Sequence, residues 1–260
     1  MSTEQTVAKE RTVVGLEDDL IRLWNVYAER YKDIYGSRIQ SEHIAKLGKL
    51  LRPTGNGVFL DAGCGAGNTF ELIIQGTQPT ELHAIDWSEE MLSEAKLEAE
   101  GIQQTSDTIF EFYCGDISNA LPWPNDFFDG VMSNLVICYL PCGWRKAVKE
   151  LARVTKPGGH LYIGTLLEKW TFKWVILRHG PIEFLLHPIA SFRELKYLKQ
   201  QAILAKIIDE AKRRGAEFPS PEQLTDALEN LGFGEIKVTP THWGRGLVLR
   251  ARKLPTPFMA

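Results

Sequence analysis

Cysteine is scarce in this chain, at four in 260 residues. Cys64, Cys114, Cys138 and Cys142 have no zinc-ligand spacing, and four cysteines in a chain this long do not make a disulfide framework. No metal site is expected, and Cys138 with Cys142 reads most simply as two small residues near the floor of a ligand site. Long apolar runs are also missing. Nothing approaches the length that crosses a bilayer, and the polar, charged amino terminus has no apolar signal core. The expected location is therefore a reducing cytoplasm, without an integral membrane segment. An excess of positive charge is absent too: the formal net charge is -3, which leaves no basic footprint for a nucleic acid. The length suits one large domain with an elaboration, enough to bury a full core.

The most informative stretch is Val58-Phe59-Leu60-Asp61-Ala62-Gly63-Cys64-Gly65-Ala66-Gly67. An apolar run ends in an acid and breaks into three glycines at alternate positions. This pattern predicts a buried parallel strand, a tight turn and a helix opening near Asn68. Glycine lets the backbone bend and a ligand approach without a Cβ in the way. A pyrophosphate pocket would gain little from the carboxylate of Asp61, whereas a cofactor with a cationic amino-acid tail would suit it. S-adenosylmethionine (SAM) is such a cofactor. A second run, Leu82 to Ile85, ends at Asp86, whose carboxylate can accept hydrogen bonds from both ribose hydroxyls. A third, Phe110 to Cys114, leads to Gly115-Asp116-Ile117, suited to the amino edge and ring nitrogen of an adenine. A fourth, Gly130 to Leu135, carries Asn134 where that strand reaches the cofactor.

With these residues in order, the chain resembles the class I SAM-dependent methyltransferases, and among them the small-molecule group that includes the ubiquinone/menaquinone C-methyltransferases. Further matches are Ala84 to Leu92, Leu121 to Asp129 and Leu151 to Gly159, so that the likeness covers roughly Val58 to Thr165 with a compatible ending at Phe218 to Lys253. The resemblance implies an α/β fold: a Rossmann-like seven-stranded, mostly parallel sheet with helices on both faces, an antiparallel last strand and a helical cap insertion. It implies SAM as cofactor, with contacts from Tyr31, Asp61, Ala62, Gly63, Gly65, Asn68, Asp86, Trp87, Met91, Asp116, Ile117 and Asn134. Trp87 departs from the smaller residues common at its position and would cover one adenine face. Of Tyr27 and Tyr31, one turn apart on a leading helix, one is expected near the sulfonium and at least one in the core. DNA enzymes that methylate base amino groups usually carry an Asn/Asp-Pro-Pro-aromatic motif after the fourth strand. Asn134-Leu135-Val136-Ile137 lacks it, which argues against a flipped base as substrate.

The expected organisation is an N-terminal helical segment over residues 1–51, a SAM-binding core over 52–167, a helical cap over 168–217, the rest of the core over 218–254 and a tail over 255–260. Pro157-Gly158-Gly159 is read as the turn into a fifth strand over His160 to Thr165. Ser220-Pro221-Glu222-Gln223 reads as a helix start, running to about Leu231. Glu235 to Thr239 and Gly246 to Ala251 are the closing strands, joined by a connection containing Pro240. In the cap, Phe192, Leu195, Leu198, Ala202, Ile203 and Ile207 form one apolar stripe.

Of six histidines, His83 and His160 fall in strands and His43 on a surface-like helix. His179, His187 and His242 are the candidates to face an acceptor and remove a proton. The cap holds ten basic against six acidic residues, read as a solvated face although peripheral membrane contact or an anionic acceptor would also use it. The expected function is methyl transfer from SAM to O, N or C of a small, lipophilic or aromatic metabolite. The alternative is a SAM-fold protein catalysing a cyclisation or decarboxylation. Oligomeric state is left open.

Overall fold

The computed structural model describes residues 20–28, 31, 37–55, 57–141, 143–168 and 198–255. Seven strands form one sheet: β1 (Val58–Ala62), β2 (Glu81–Asp86), β3 (Ile109–Cys114), β4 (Phe128–Asn134), β5 (Thr155–Leu166), β6 (Phe233–Thr241) and β7 (Gly246–Lys253). Their order is β3-β2-β1-β4-β5-β7-β6. The pairs from β3 through β5 are parallel, and β7 runs antiparallel to both its neighbours. The expected fold class holds.

The described helices are α1 (residues 20–28), α2 (Arg38–Gly48), α3 (Phe70–Thr77), α4 (Glu89–Gln103), α5 (Trp144–Val154), α6 (Leu198–Arg213) and α7 (Pro221–Asn230). The central strands bury both faces, so alternate residues feed opposite cores. Leu60, Val131, Leu161, Ile163, Leu247 and Leu249 pack with α5 and α7. Phe59, Met132, Tyr162 and Val248 pack with α2, α3 and α4. A third cluster lies over the carboxyl ends of the strands. There Leu20, Trp24 and Tyr27 of α1 meet Leu204, Ile207 and Ile208 of α6, together with Leu135, Tyr139 and Leu166.

Three helices, α2, α4 and α7, start where a serine side chain caps them. Ser88 accepts from Met91 N ahead of Glu89 and Glu90 in α4, an acidic first turn that suits the positive end of a helix dipole. Ser220 and Gln223 form a reciprocal capping box with Pro221 in the first turn of α7, as the sequence predicts.

Several boundaries differ from expectation. α3 opens at Phe70 rather than near Asn68, because the turn continues through Gly67 at a φ of +81° and Thr69. β5 starts at Thr155; pairing with β4 breaks after Thr155 and resumes at His160, so Pro157-Gly158-Gly159 is a bulge inside the strand rather than a turn before it. Pro240 lies within β6, where an edge strand tolerates a missing N–H. On α6 the buried stripe is Leu204, Ala205, Ile207, Ile208 and Ala211, with Ala202 and Ile203 only partly buried; Phe192 and Leu195 lie outside the described residues. The largest correction is His43. It is fully buried, in the same α2 stripe as Ile39 and Leu47.

Candidate functional site

The sheet reverses its winding between β1 and β4, since β1 pairs with β2 on one side and with β4 on the other. Open α/β sheets hold ligands in the crevice at such a switch point, beyond the carboxyl ends of the strands. Two adjoining clefts occupy that place. One, of about 400 Å³, is lined by Trp24, Tyr31, Gly63, Gly65, Asp86, Trp87, Met91, Leu135, Val136, Tyr139 and Leu140. The other, of about 230 Å³, is lined by Gly63, Asp86, Trp87, Gly115, Asp116, Ile117, Val136 and Leu140. Gly63, Asp86, Trp87, Val136 and Leu140 belong to both.

The glycine turn is held from beneath. Gly63 N and Cys64 N donate to Ile85 O at 2.7 and 3.1 Å, tying the end of β1 to the end of β2. At Gly63 the φ is +77°, and an added Cβ would lie 2.3 Å from Val136 Cγ2. At Gly65 it would lie 3.1 Å from Tyr31 Cε1. The turn therefore needs glycine both for its conformation and for the room between it and the facing cleft walls.

Asp86 organises the junction of the two clefts. Its Oδ2 accepts from Gly65 N at 2.9 Å and its Oδ1 from Ser88 N at 3.0 Å, which leaves lone pairs on both oxygens for a ligand hydroxyl. Burial pushes its carboxyl up to about 6, against the hydrogen bonds from Ser88, Gly65 and Trp87 that favour the anion. Asp61 is buried behind the turn, where Thr69 Oγ1 donates to its Oδ2 at 2.5 Å. Burial raises Asp61 to about 7, Thr69 opposes this, and the neighbouring Asp86 adds to the rise. Asp61 lines neither cleft, so the two carboxylates would favour a cation in the cleft beside Asp86, with Asp61 acting from behind the turn.

The remaining residues singled out from the sequence fall into distinct places. Asp116 and Ile117 stand on the wall of the smaller cleft. Both Asp116 oxygens are engaged by its own loop, with Ser118 N at 2.8 Å, Ser118 Oγ at 2.6 Å and Asn119 Nδ2 at 3.2 Å. Trp87 and Met91 face the larger cleft, and so does Tyr31, edge-on to Trp24 and Tyr27; Tyr27 itself is core. Ala62 is buried at the end of β1 and lines neither cleft. Asn68 lies within the turn, lines neither cleft, and its Nδ2 is buried without a hydrogen-bond partner among the described residues. Asn134 also lines neither; its side chain turns to His43, with Oδ1 at 2.7 Å from Nε2. His242 is buried beside His43, ring centroids 4.9 Å apart, rather than on a cleft wall. Burial pushes it well below its ordinary value, with His43 and Lys46 adding to the fall. His179, His187 and Cys142 lie outside the described residues. Cys138 is buried against α1 and α6 and is not part of either cleft floor. Among the described residues no group of His, Cys, Asp or Glu could hold a metal ion.

Sequence reasoning missed Trp24, Leu135, Val136, Tyr139 and Leu140 as cleft walls. Trp24 was legible only as part of an apolar helical stripe. The other four follow Asn134, where Leu135 takes a φ of +58° and Ile137–Tyr139 form a single 3-10 turn; no residue pattern announces that corner.

The winding, the glycine turn at the switch point and the acid at the tip of β2 define the class: a Rossmann-like fold of the class I SAM-dependent methyltransferases. Residues 60–163 match the methyltransferase domain family. It is 28% identical over 216 residues to a malonyl-[acyl-carrier protein] O-methyltransferase of Herminiimonas arsenicoxydans, covering 83% of this chain and 66% of that protein. It is 26% identical over 187 residues to a demethylmenaquinone methyltransferase of Bacillus licheniformis, covering 70% and 72%. The chain spans only about half to two thirds of the O-methyltransferase relatives' length. Among solved structures, a geranyl diphosphate C-methyltransferase of Streptomyces coelicolor in complex with S-adenosylhomocysteine (SAH) shares the fold, with a TM-score of 0.55 and 13% identity over 84% of this chain and 80% of that one. No described helix is long and apolar enough to cross a membrane.

Proposed function

We propose that this chain transfers a methyl group from SAM to a small, lipophilic or aromatic acceptor. The observation that carries the reading is the pair of clefts meeting at Asp86. One is bounded by the Asp116–Ile117 strand tip and the other by aromatic side chains. A nucleoside with an amino-acid tail has this shape, with ribose at the junction.

The residues present fit that cofactor. Bare Gly63 and Gly65 leave a cradle that a Cβ would fill. Asp86 would accept from the ribose hydroxyls, and Asp61, bonded to Thr69 among the described residues, would favour the tail ammonium from behind the turn. Trp87 would cover the adenine, with Ile117 on the same cleft wall. When bound, SAM supplies a methyl group on a cationic sulfonium, a leaving group that needs little help. The protein's part is then mainly to exclude water and orient the acceptor at near-attack distance, about 3 Å. Trp24, Tyr31, Tyr139 and Leu140 supply apolar and aromatic surface for this beside the turn. The demethylmenaquinone methyltransferase relatives are named for a lipophilic acceptor, in keeping with such walls. A cap over residues 168–217 would complete the acceptor side, with α6 as its described part. A cytoplasmic location agrees with this reading.

The test is SAM incubation with a panel of quinols, phenols and prenylated acceptors, following SAH release and product mass. A mass gain of one methyl with matching SAH supports the reading. Turnover of an acceptor without SAH release would favour a cyclisation or decarboxylation instead.

A further inference from the structure

Four buried polar side chains meet behind the cleft wall: His43 from α2, Asn134 from the end of β4, Thr241 from the end of β6 and His242 just after it. His43 Nε2 lies 2.7 Å from Asn134 Oδ1, and His43 Nδ1 lies 3.0 Å from Thr241 Oγ1. Thr241 Oγ1 in turn lies 3.0 Å from His242 Nδ1. With Asn134 Oδ1 turned to His43, the donors run in one direction. A carbonyl oxygen accepts, so His43 carries its proton on Nε2 and donates it to Asn134. With burial holding His43 down to about 4, the ring is neutral and its Nδ1 must accept from the Thr241 hydroxyl. The Thr241 oxygen then accepts from His242 Nδ1–H. The two imidazoles thus hold opposite tautomers.

Two glycines make the space. A Cβ at Gly164 would fall 2.0 Å from Asn134 Oδ1 and 2.8 Å from His43 Nε2. A Cβ at Gly246 would fall 2.8 Å from His242 Nδ1 and 2.9 Å from Thr241 Oγ1. The cluster thus occupies room that a side chain at position 164 or 246 would close.

Its position matters because Asn134 is followed at once by Leu135 and Val136. Leu135 has a left-handed φ of +58°, disfavoured for a branched side chain, and donates to Gly164 O at 2.7 Å. Val136 is shared by both clefts and faces Gly63. The strained corner that forms this wall is therefore anchored on its strand side by Asn134, and Asn134 by His43. We propose that His43 is a positioning residue for the cleft, setting the Leu135–Val136 wall through its hydrogen bond to Asn134. The proposal rests on the reading of the cleft as a SAM site.

Two near-isosteres separate this from a merely structural role. His43→Gln places an amide near the Nε2 position and can still donate to Asn134. His43→Asn reaches only the Nδ1 position, keeping a partner for Thr241 and losing Asn134. Stability by urea unfolding and SAH affinity by calorimetry are measured on both. The expected result is a loss of SAH affinity on the order of tenfold in His43→Asn, and under about threefold in His43→Gln, at similar stability. Equal affinity of both variants with the unaltered chain would overturn the proposal, whatever their stability. Failure of the unaltered chain itself to bind SAH would instead overturn the SAM reading. Should His43→Asn not fold, imidazole nitrogen spectra of the unaltered chain decide. Nε2–H on His43, Nδ1–H on His242 and a shift of the His43 signal on adding SAH are expected; an unmoved His43 signal refutes the coupling.

Discussion

Gly63→Ala tests the contact between the glycine turn and the wall that faces it. Two penalties add at this position. The φ of +77° is unfavourable for a residue with a Cβ, by roughly 1–2 kcal/mol. The new methyl would also lie 2.3 Å from Val136 Cγ2 and 2.7 Å from Cγ1, an overpacking worth about 1–3 kcal/mol. The expected loss is therefore about 2–5 kcal/mol, a large part of the roughly 5–15 kcal/mol that holds a typical domain together. Relief of the second penalty is the diagnostic. Val136→Ala removes both clashing methyls, so Gly63→Ala/Val136→Ala should be less destabilised than the sum of the singles by about 1–3 kcal/mol. Urea unfolding of the four proteins measures the coupling, and calorimetry with SAH measures the site. Displacement of Val136 narrows both clefts, so Gly63→Ala should lose at least about tenfold in affinity. Additive stabilities within about 0.5 kcal/mol would refute the packing argument. An unchanged affinity would refute the place given to the turn in the cleft.

Asp86→Asn keeps the shape of the junction but removes the charge that accepts from Gly65 N and Ser88 N, and SAH affinity should fall by roughly 1.5–3 kcal/mol; equal affinity, by titration, would sink the ribose assignment. Burial holds Asp61 at about 7 and Asp86 at about 6, above their ordinary 3.8, so the ligand-free native state binds protons more readily than the unfolded chain. Their contribution to stability is therefore greatest below about pH 4 and is lost as pH rises through 6 to 7. A bound ammonium favours the ionised carboxylates, so the rise in melting temperature on adding SAM should grow between pH 5.5 and about 8; a rise that shrinks would contradict the assignment of Asp61. Ser220→Ala breaks the capping box of α7 and should cost about 1 kcal/mol in urea unfolding with SAH affinity unchanged, a control at a residue that lines neither cleft.

The first half of the sheet was legible because β1 to β3 are short runs with an acid at or just beyond the tip, and helix starts follow the first two. Pairing at the edge was less so. Pro240 looks like a connection in sequence and lies in a strand in the structure, since nothing in the chain itself says that β6 is an edge. The cleft walls divide in the same way. Gly63, Gly65, Asp86 and Trp87 announce themselves by spacing, whereas Trp24, Val136 and Tyr139 reach the cleft through tertiary packing and a left-handed Leu135. His43 was read as a surface residue because histidine suggests polarity. Its spacing of four from Ile39 and from Leu47 places it on the buried stripe of α2, and that signal was present in the sequence.

Whether the paired clefts at the switch point bind SAM is decided by calorimetric titration of the purified chain with SAM, SAH and NAD. Micromolar binding of both sulfur ligands and none of NAD is expected. Binding of NAD in their place, or of neither sulfur ligand, would contradict the SAM assignment.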